Sequence, residues 1–264
     1  MQAFEIRLAE GSDTPLLVSI PHTGIFVPQS IAESFASDAI RALPMTDWHL
    51  HHLYDFLPRL GVTTILAKYS RFVCDLNRPP VDQPLYPGRF ETGLVATKTF
   101  QGEEIYTQPP AAAEIAQRRQ QVHEPYHAAL TQQLARIVAK FGRAVLVDAH
   151  SVASQASLVH PVLEDDIYLG DRDGTSCDAS LTDFLHNAFR ENGLCVARNA
   201  PYKGGYITQH YGHMANVDAI QIEMCQRVYM DEADPATALE LPQFDNTRQL
   251  LRKIFTGLAA HAAA

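Results

Sequence analysis

Short apolar blocks along this chain end repeatedly in polar residues. PLLVSI (15–20) runs into Pro21 and His22, and TTILAKYS (63–70) into Arg71. AVLVDAHS (144–151) ends in Asp148, His150 and Ser151, and DAIQIEM (218–224) closes around Glu223. Blocks this short and this apolar read as strands buried on both faces of a largely parallel sheet. Between them the period lengthens to that of a helix. Asp47 to Leu57 places Leu50, Leu53, Tyr54 and Leu57 on one stripe, and Ala111 to Phe141 is helical in period with Pro125 inside it. Leu181 to Asn192 runs up to Gly193, a helix stop, and Asn246 to Leu258 is the last helical stretch. Strands alternating with helices predict an α/β fold with an open, mostly parallel or mixed sheet flanked by helices.

Residues 78–110 break the alternation. Pro79, Pro80, Pro84, Pro87, Pro109 and Pro110, with Gly88, Gly93 and Gly102, predict a long loop with room for a hairpin around Gly93. Ordered loops of this length are often functional. No repeat and no Gly/Ser linker divides the chain, so residues 1–264 are expected to form a single catalytic domain with a frayed HAAA tail.

Composition narrows the partners. With 264 residues and 46% hydrophobic content the chain can bury a large core. Its formal net charge of -9 argues against nucleic acid and anionic membranes, and an anionic substrate would need a local Arg or Lys cluster to enter. The N-terminus MQAFEIRLAEGSD lacks a secretory pattern, and no apolar run has the length of a membrane span. Cys74, Cys177, Cys195 and Cys225 include no C-x-x-C pair. They are expected to be thiols in a reducing cytoplasm, each a small buried apolar residue.

In open α/β sheets ligands bind beyond the carboxyl ends of the strands. His22, His150 and Glu223 all fall at such ends, so one rim of the sheet is expected to hold them. His22, between Pro21 and Gly24, is either a metal ligand or a polar turn residue. His150 shares a strand face with Asp148, which would support a site or form a buried polar pair with it. Asp47 after Thr46 reads first as a helix cap, with metal binding, alone or with His51, as the alternative. His49 and His52 are expected to be solvated. Glu223 in an apolar strand is costly unless paired, for example with Arg227, or raised in pKa for use as a general base. Arg71, Asp75, Asn77 and Arg78 either bind a carboxylate or form structural ion pairs. Lys203 with Gly204 and Gly205 could bind an anion, or the segment is a surface loop. His123-Glu124-Pro125-Tyr126-His127 matches H-E-x-x-H literally, but that motif needs one unbroken helix. Pro125 predicts a helix restart that leaves His123 outside.

SIPHTG, MTDWH, SRFVCDLNRPP, PYHAAL, VLVDAHS, PYKGGYITQHYG and AIQIEM follow one another from about residue 15 to about residue 230. In this order they resemble the N-formylglutamate amidohydrolase family. The resemblance implies a fold related to zinc carboxypeptidases and aspartoacylases. It also implies hydrolysis of N-formyl-L-glutamate to formate and glutamate, the last step of a histidine degradation route. It implies His22, His150 and Asp47 as ligands of one zinc ion per chain, another divalent metal being an alternative. Glu223 becomes the base. Asn77 and Arg78 resemble the carboxylate clamp of the wider group, joined by Arg71 and Lys203, and His127 becomes a helix packing residue. The sequence departs from the carboxypeptidase-like pattern at Ile25, where that pattern has its acidic ligand; Asp47 takes its place. Other readings are action on another N-acyl amino acid, an H-E-x-x-H protease using His123 and His127, and a non-catalytic binder of acidic amino acids.

Overall fold

The computed structural model describes residues 2–81, 88 and 90–263. Its strands are β1 (Phe4–Arg7), β2 (Leu16–Ile20), β3 (Thr63–Ala67), β4 (Ala144–Val152), β5 (Ile167–Gly170), β6 (Val196–Arg198) and β7 (Val217–Cys225). They form one sheet in the order β1-β3-β2-β4-β7-β5-β6. The centre, β3-β2-β4-β7, is parallel, as the apolar blocks predict. The flanks make the sheet mixed: β1 is antiparallel to β3, and β5 is antiparallel to β7 while parallel to β6. These flanking strands carry little sequence signal, because they are short and β6 is partly exposed.

The helices are α1 (Gln29–Ala32), α2 (Asp38–Arg41), α3 (Leu50–Leu53), α4 (Ala112–Arg118), α5 (Glu124–Phe141), α6 (Ala179–Glu191), α7 (Tyr206–Tyr211) and α8 (Pro242–Ala263). Alternate side chains of each central strand enter opposite cores. Leu17, Leu146 and Ala219 pack with Tyr126, Leu130 and Leu134 of α5. Val18, Val147 and Ile220 pack with Leu185 of α6 and with Leu251 and Phe255 of α8. Burying each large apolar side chain in these two layers contributes roughly 1.5–3 kcal/mol.

Several expectations change in detail. The stripe Leu50, Leu53, Tyr54 and Leu57 is buried, but α3 covers one turn and a 3-10 turn at Leu57–Leu60 follows. The left-handed backbone of His49 (φ 60°) keeps Asp47 out of the helix, so Asp47 caps nothing there. The long 111–141 helix divides at a π turn, Arg119–His123. α5 then starts with Pro125 in its first turn, where no amide donor is needed. Asp178 caps α6 through the Ser180 amide, and Gly193 (φ 87°) stops it as expected. The tail expected to fray continues α8 to Ala263 with Ala262 buried. Around Gly93 there is no hairpin among the described residues; an isolated antiparallel bridge joins Lys98 and Glu104. Pro84 and Pro87 lie outside the described residues. All four cysteines are free thiols; Cys74 and Cys225 are buried, whereas Cys195 is exposed. Among the described residues no helix is long and apolar enough to cross a membrane.

Candidate active site

On the α5 side of the sheet, apolar rows turn polar at the strand ends. Leu146 is followed by Asp148 and His150, and Ala219 by Gln221 and Glu223. Parallel register sets Asp148 beside Gln221 and His150 beside Glu223. β2 delivers His22 two residues past its end. Asp47 arrives on the loop before α3, and its amide donates to the His22 carbonyl at 3.1 Å. His22, Asp47, Arg71, Asn77, Arg78, His150 and Glu223 all line one cavity of about 170 Å³.

Each histidine has one nitrogen held from behind and the other turned inward. His22 donates from Nε2 to Asp75 Oδ1 at 2.7 Å, which leaves its buried Nδ1 without a hydrogen-bond partner, 3.8 Å from Asp47 Oδ2. His150 Nε2 lies 2.9 Å from Asp148 Oδ2, and its Nδ1 faces Asp47 Oδ2 at 3.2 Å. One donor atom each from His22, Asp47 and His150 thus falls within a 4.8 Å group. Carboxylates behind the histidines fix their tautomers, as is usual around metal-binding imidazoles. The orphaned Nδ1 is a lone pair aimed at the same point. Charge also favours a cation here: Asp47, Asp75 and Asp148 are buried with one buried Arg71. This set of two histidines and a carboxylate could hold a metal.

The titrating groups respond to the same surroundings. Burial, and then Arg71, hold His22 below the usual histidine range, which keeps its inward nitrogen free of a proton. Burial pulls His150 down, but Asp148 and Asp47 outweigh it and raise it well above that range. Burial likewise opposes the charge on Asp75, but Arg71 and His22 hold its carboxyl well below the carboxylate range. Burial pushes Glu223 up to about 8 against the pull of His150 and Arg71. Among the described residues, its carboxylate accepts a hydrogen bond from Gln221 Nε2 at 2.9 Å. Arg227, the salt-bridge partner considered for Glu223, bonds instead to the carbonyls of Leu163, Glu164 and Asp165 and to Asp166.

The basic cluster divides. Arg71 pairs with Asp75 at 2.7 Å, as the structural alternative anticipated, and still faces the cavity. Arg78 also faces it, with Nε on the Thr92 carbonyl and Nη1 on the Asn77 carbonyl. Asn77 is not poised as a clamp. Its Oδ1 accepts from the Ile207 amide and its Nδ2 donates to Asp148, so both ends of the amide are committed to protein. Lys203 is drawn away by Asp173 at 2.8 Å and is absent from the cavity wall. The Gly205 amide is taken by Gln221 Oε1.

His49, His51, His123 and His127 also have protein partners, while His52 is exposed as expected. His51 turns to Thr23 rather than to Asp47, and His49 bonds the Pro235 carbonyl. The helix does not restart after His123 as Pro125 predicts; His123 ends the π turn within the continuing helix, its ring 4.1 Å from that of His127 and its Nε2 on the Arg78 carbonyl. His127 is held by Tyr211 and the Leu76 carbonyl, so neither nitrogen is open for a metal. Glu124 is exposed and paired with Arg119. The H-E-x-x-H match therefore builds no metal site, and His127 packs as its PYH context implies.

Gln221 and Tyr202 are among the cavity residues that the sequence reading did not single out. Gln221 holds Glu223, and its signal was available: a polar residue two positions before Glu223 on the same strand face. Tyr202 has a buried hydroxyl with no partner among the described residues, and its ring packs near Tyr168 and His160. Its neighbours come from distant segments, so no local pattern marks it.

Fold and site together define an α/β protein with a buried candidate metal centre at the carboxyl edge of its sheet. The sequence model of the N-formylglutamate amidohydrolase family matches residues 14–230, and the chain belongs to that family. It is 39% identical over 254 residues to an N-formylglutamate deformylase of Pseudomonas putida, covering 94% of each chain. A protein of the same name from Pseudomonas aeruginosa is 39% identical over 256 residues, covering 93% of each. The crystal structure of N-formylglutamate amidohydrolase from Ralstonia eutropha JMP134 superposes with a TM-score of 0.84 at 29% identity, covering 99% of this chain and 98% of that one.

Proposed function

We propose that this chain hydrolyses N-formyl-L-glutamate to formate and L-glutamate as one catalytic domain in the cytoplasm, closing a route of histidine degradation. The carrying observation is the convergence of inward-facing His22, Asp47 and His150 with a buried Glu223 one strand away over a single cavity. His22, Asp47 and His150 would hold one divalent ion, and zinc suits two imidazoles and one carboxylate. When bound, the ion supplies Lewis acidity toward the acyl oxygen and acidifies a water.

Glu223 takes a proton from the attacking water as the water oxygen bonds to the formyl carbon, and then gives that proton to the amide nitrogen as the C–N bond breaks and the amine leaves. Gln221 steadies the Glu223 carboxylate for this transfer. Arg78 and Arg71 supply the positive field that an anionic substrate needs within a chain of net charge -9. The Tyr202 hydroxyl, buried and without a partner among the described residues, donates to a substrate oxygen. Asn77 braces Asp148 behind His150 rather than gripping substrate.

Formate release from N-formyl-L-glutamate, followed before and after chelation and with zinc restored, tests the reading. Activity is expected to vanish with the metal and return with it. Glu223→Gln is expected to bind zinc normally and to lose turnover by at least about 10²-fold. No release by folded, metal-loaded protein would overturn the substrate assignment. Near-normal turnover of Glu223→Gln would remove Glu223 from its role.

A further inference from the structure

Asp47 differs from the two histidines beside it. His150 stands in β4 and His22 lies two residues past β2, whereas Asp47 sits in a loop, between Leu43 (φ 55°) and His49 (φ 60°). Left-handed residues other than glycine persist only where their surroundings over-determine them. Local capping does not do this, since His49 makes no side-chain cap on α3.

The restraint comes from the chain just beyond Glu223. Gln226 Nε2 donates to the Thr46 carbonyl at 3.0 Å and reaches Ser151 Oγ at 3.5 Å. Tyr229 donates from its hydroxyl to the Trp48 carbonyl at 2.8 Å and lies 2.8 Å from Ser151 Oγ. Because the Tyr229 proton goes to Trp48, Ser151 donates to Tyr229 and accepts from Gln226. The Ser151 amide in turn donates to Asp47 Oδ2 at 3.1 Å. The carbonyls on both sides of Asp47 and one of its carboxylate oxygens are thus gripped by buried groups of β4 and of the segment after β7. α8 braces that segment, with Phe244 against the Tyr229 ring and Thr247 on the Val228 carbonyl.

We propose that Gln226, Tyr229 and Ser151 are positioning residues that present Asp47 to the metal. The proposal rests on Asp47 being a metal ligand. For His150, strand register sets the position; for Asp47, this hydrogen-bonded clamp does. Removing one clamp donor should loosen the carboxylate while Asp75 and Asp148 still orient the histidines.

The test is zinc affinity of the full chain by competition with a chromophoric chelator, with the ligand-field spectrum of the cobalt-loaded protein. Tyr229→Phe and Gln226→Met remove separate donors, so one remains informative if the other fails to fold. Tyr54→Phe is the control, because the Tyr54 hydroxyl is also buried but has no partner among the described residues. Each clamp variant is expected to weaken zinc binding about 10–100-fold and to change the cobalt spectrum, with Tyr54→Phe like the wild type. A merely structural role would lower the melting temperature of the metal-free protein and leave zinc affinity of the folded chain unchanged. Wild-type affinity and spectrum in both clamp variants would overturn the clamp. A wild-type chain that binds no metal would overturn the metal reading beneath it, and the clamp with it.

Discussion

The Tyr202 hydroxyl is buried with no hydrogen-bond partner among the described residues. A hydroxyl so placed loses its bonds to water without replacement, and under the proposed function a substrate oxygen in the cavity would restore one. Burial, with Glu223 close by, raises its pKa well above the tyrosine range, so the hydroxyl stays a donor at neutral pH. Tyr202→Phe keeps the ring between Tyr168 and His160 and removes only that donor. A hydrogen bond to a charged oxygen contributes roughly 1.5–3 kcal/mol, so kcat/KM for N-formyl-L-glutamate is expected to fall about 10–100-fold. Steady-state kinetics that match the wild type would show the hydroxyl faces no substrate atom. Lys203 makes the opposite case: a basic residue in a glycine-bearing loop suggests an anion site, yet Asp173 already satisfies it.

Among the elements, α7 and β7 meet the site at Gly205. Its missing side chain lets the Asn77 amide lie against the backbone; a Cβ there would overlap that amide. Asn77 is the tie between the Ile207 amide at the start of α7 and Asp148 behind His150. Gly205→Ala is therefore expected to destabilise the protein by about 1–3 kcal/mol through overpacking and to lower activity with it. Denaturant unfolding and formate release check both effects, and wild-type values in each would mean Asn77 can move freely. Pro125 has no amide to donate, and the helix widens into a π turn just before it and then continues as α5. The His123 and His127 rings stay 4.1 Å apart, but Arg78, Leu76 and Tyr211 already bond these histidines, so the H-E-x-x-H string offers no free pair of ligands.

Across the molecule, the candidate ligands join three separate stretches of chain: the end of β2, the loop before α3, and β4. An ion bound there stabilises the folded chain over an unfolded one in which the three are far apart. At free zinc 100 times Kd the gain is about 2.7 kcal/mol. For a chain of this size each kcal/mol moves the melting temperature by roughly 2–4 °C, so zinc is expected to raise it by roughly 5–11 °C over the chelated protein. Calorimetry in chelator and in buffered zinc measures this. Coincident transitions would argue that the folded protein has no metal site.

Much of this protein was legible in its sequence because the decisive signals were local. Apolar blocks mark β2, β3, β4 and β7 wherever both sheet faces are buried. Period-2 spacing puts Asp148 with His150 on one face, and strand ends place His22, His150 and Glu223 on one rim. Tertiary structure decided the rest, because the deciding partners are distant in sequence. β5 and β6 are strands by pairing beyond β7, not by pattern. Asp47 read locally as a helix cap; it faces the histidines because Ser151, Gln226 and Tyr229 hold its loop there, more than 100 residues away in the chain. Lys203 and Asn77 have their bonds to Asp173 and to Ile207 and Asp148 for the same reason: a side chain's partners come from distant parts of the chain, and only the folded chain brings those groups together.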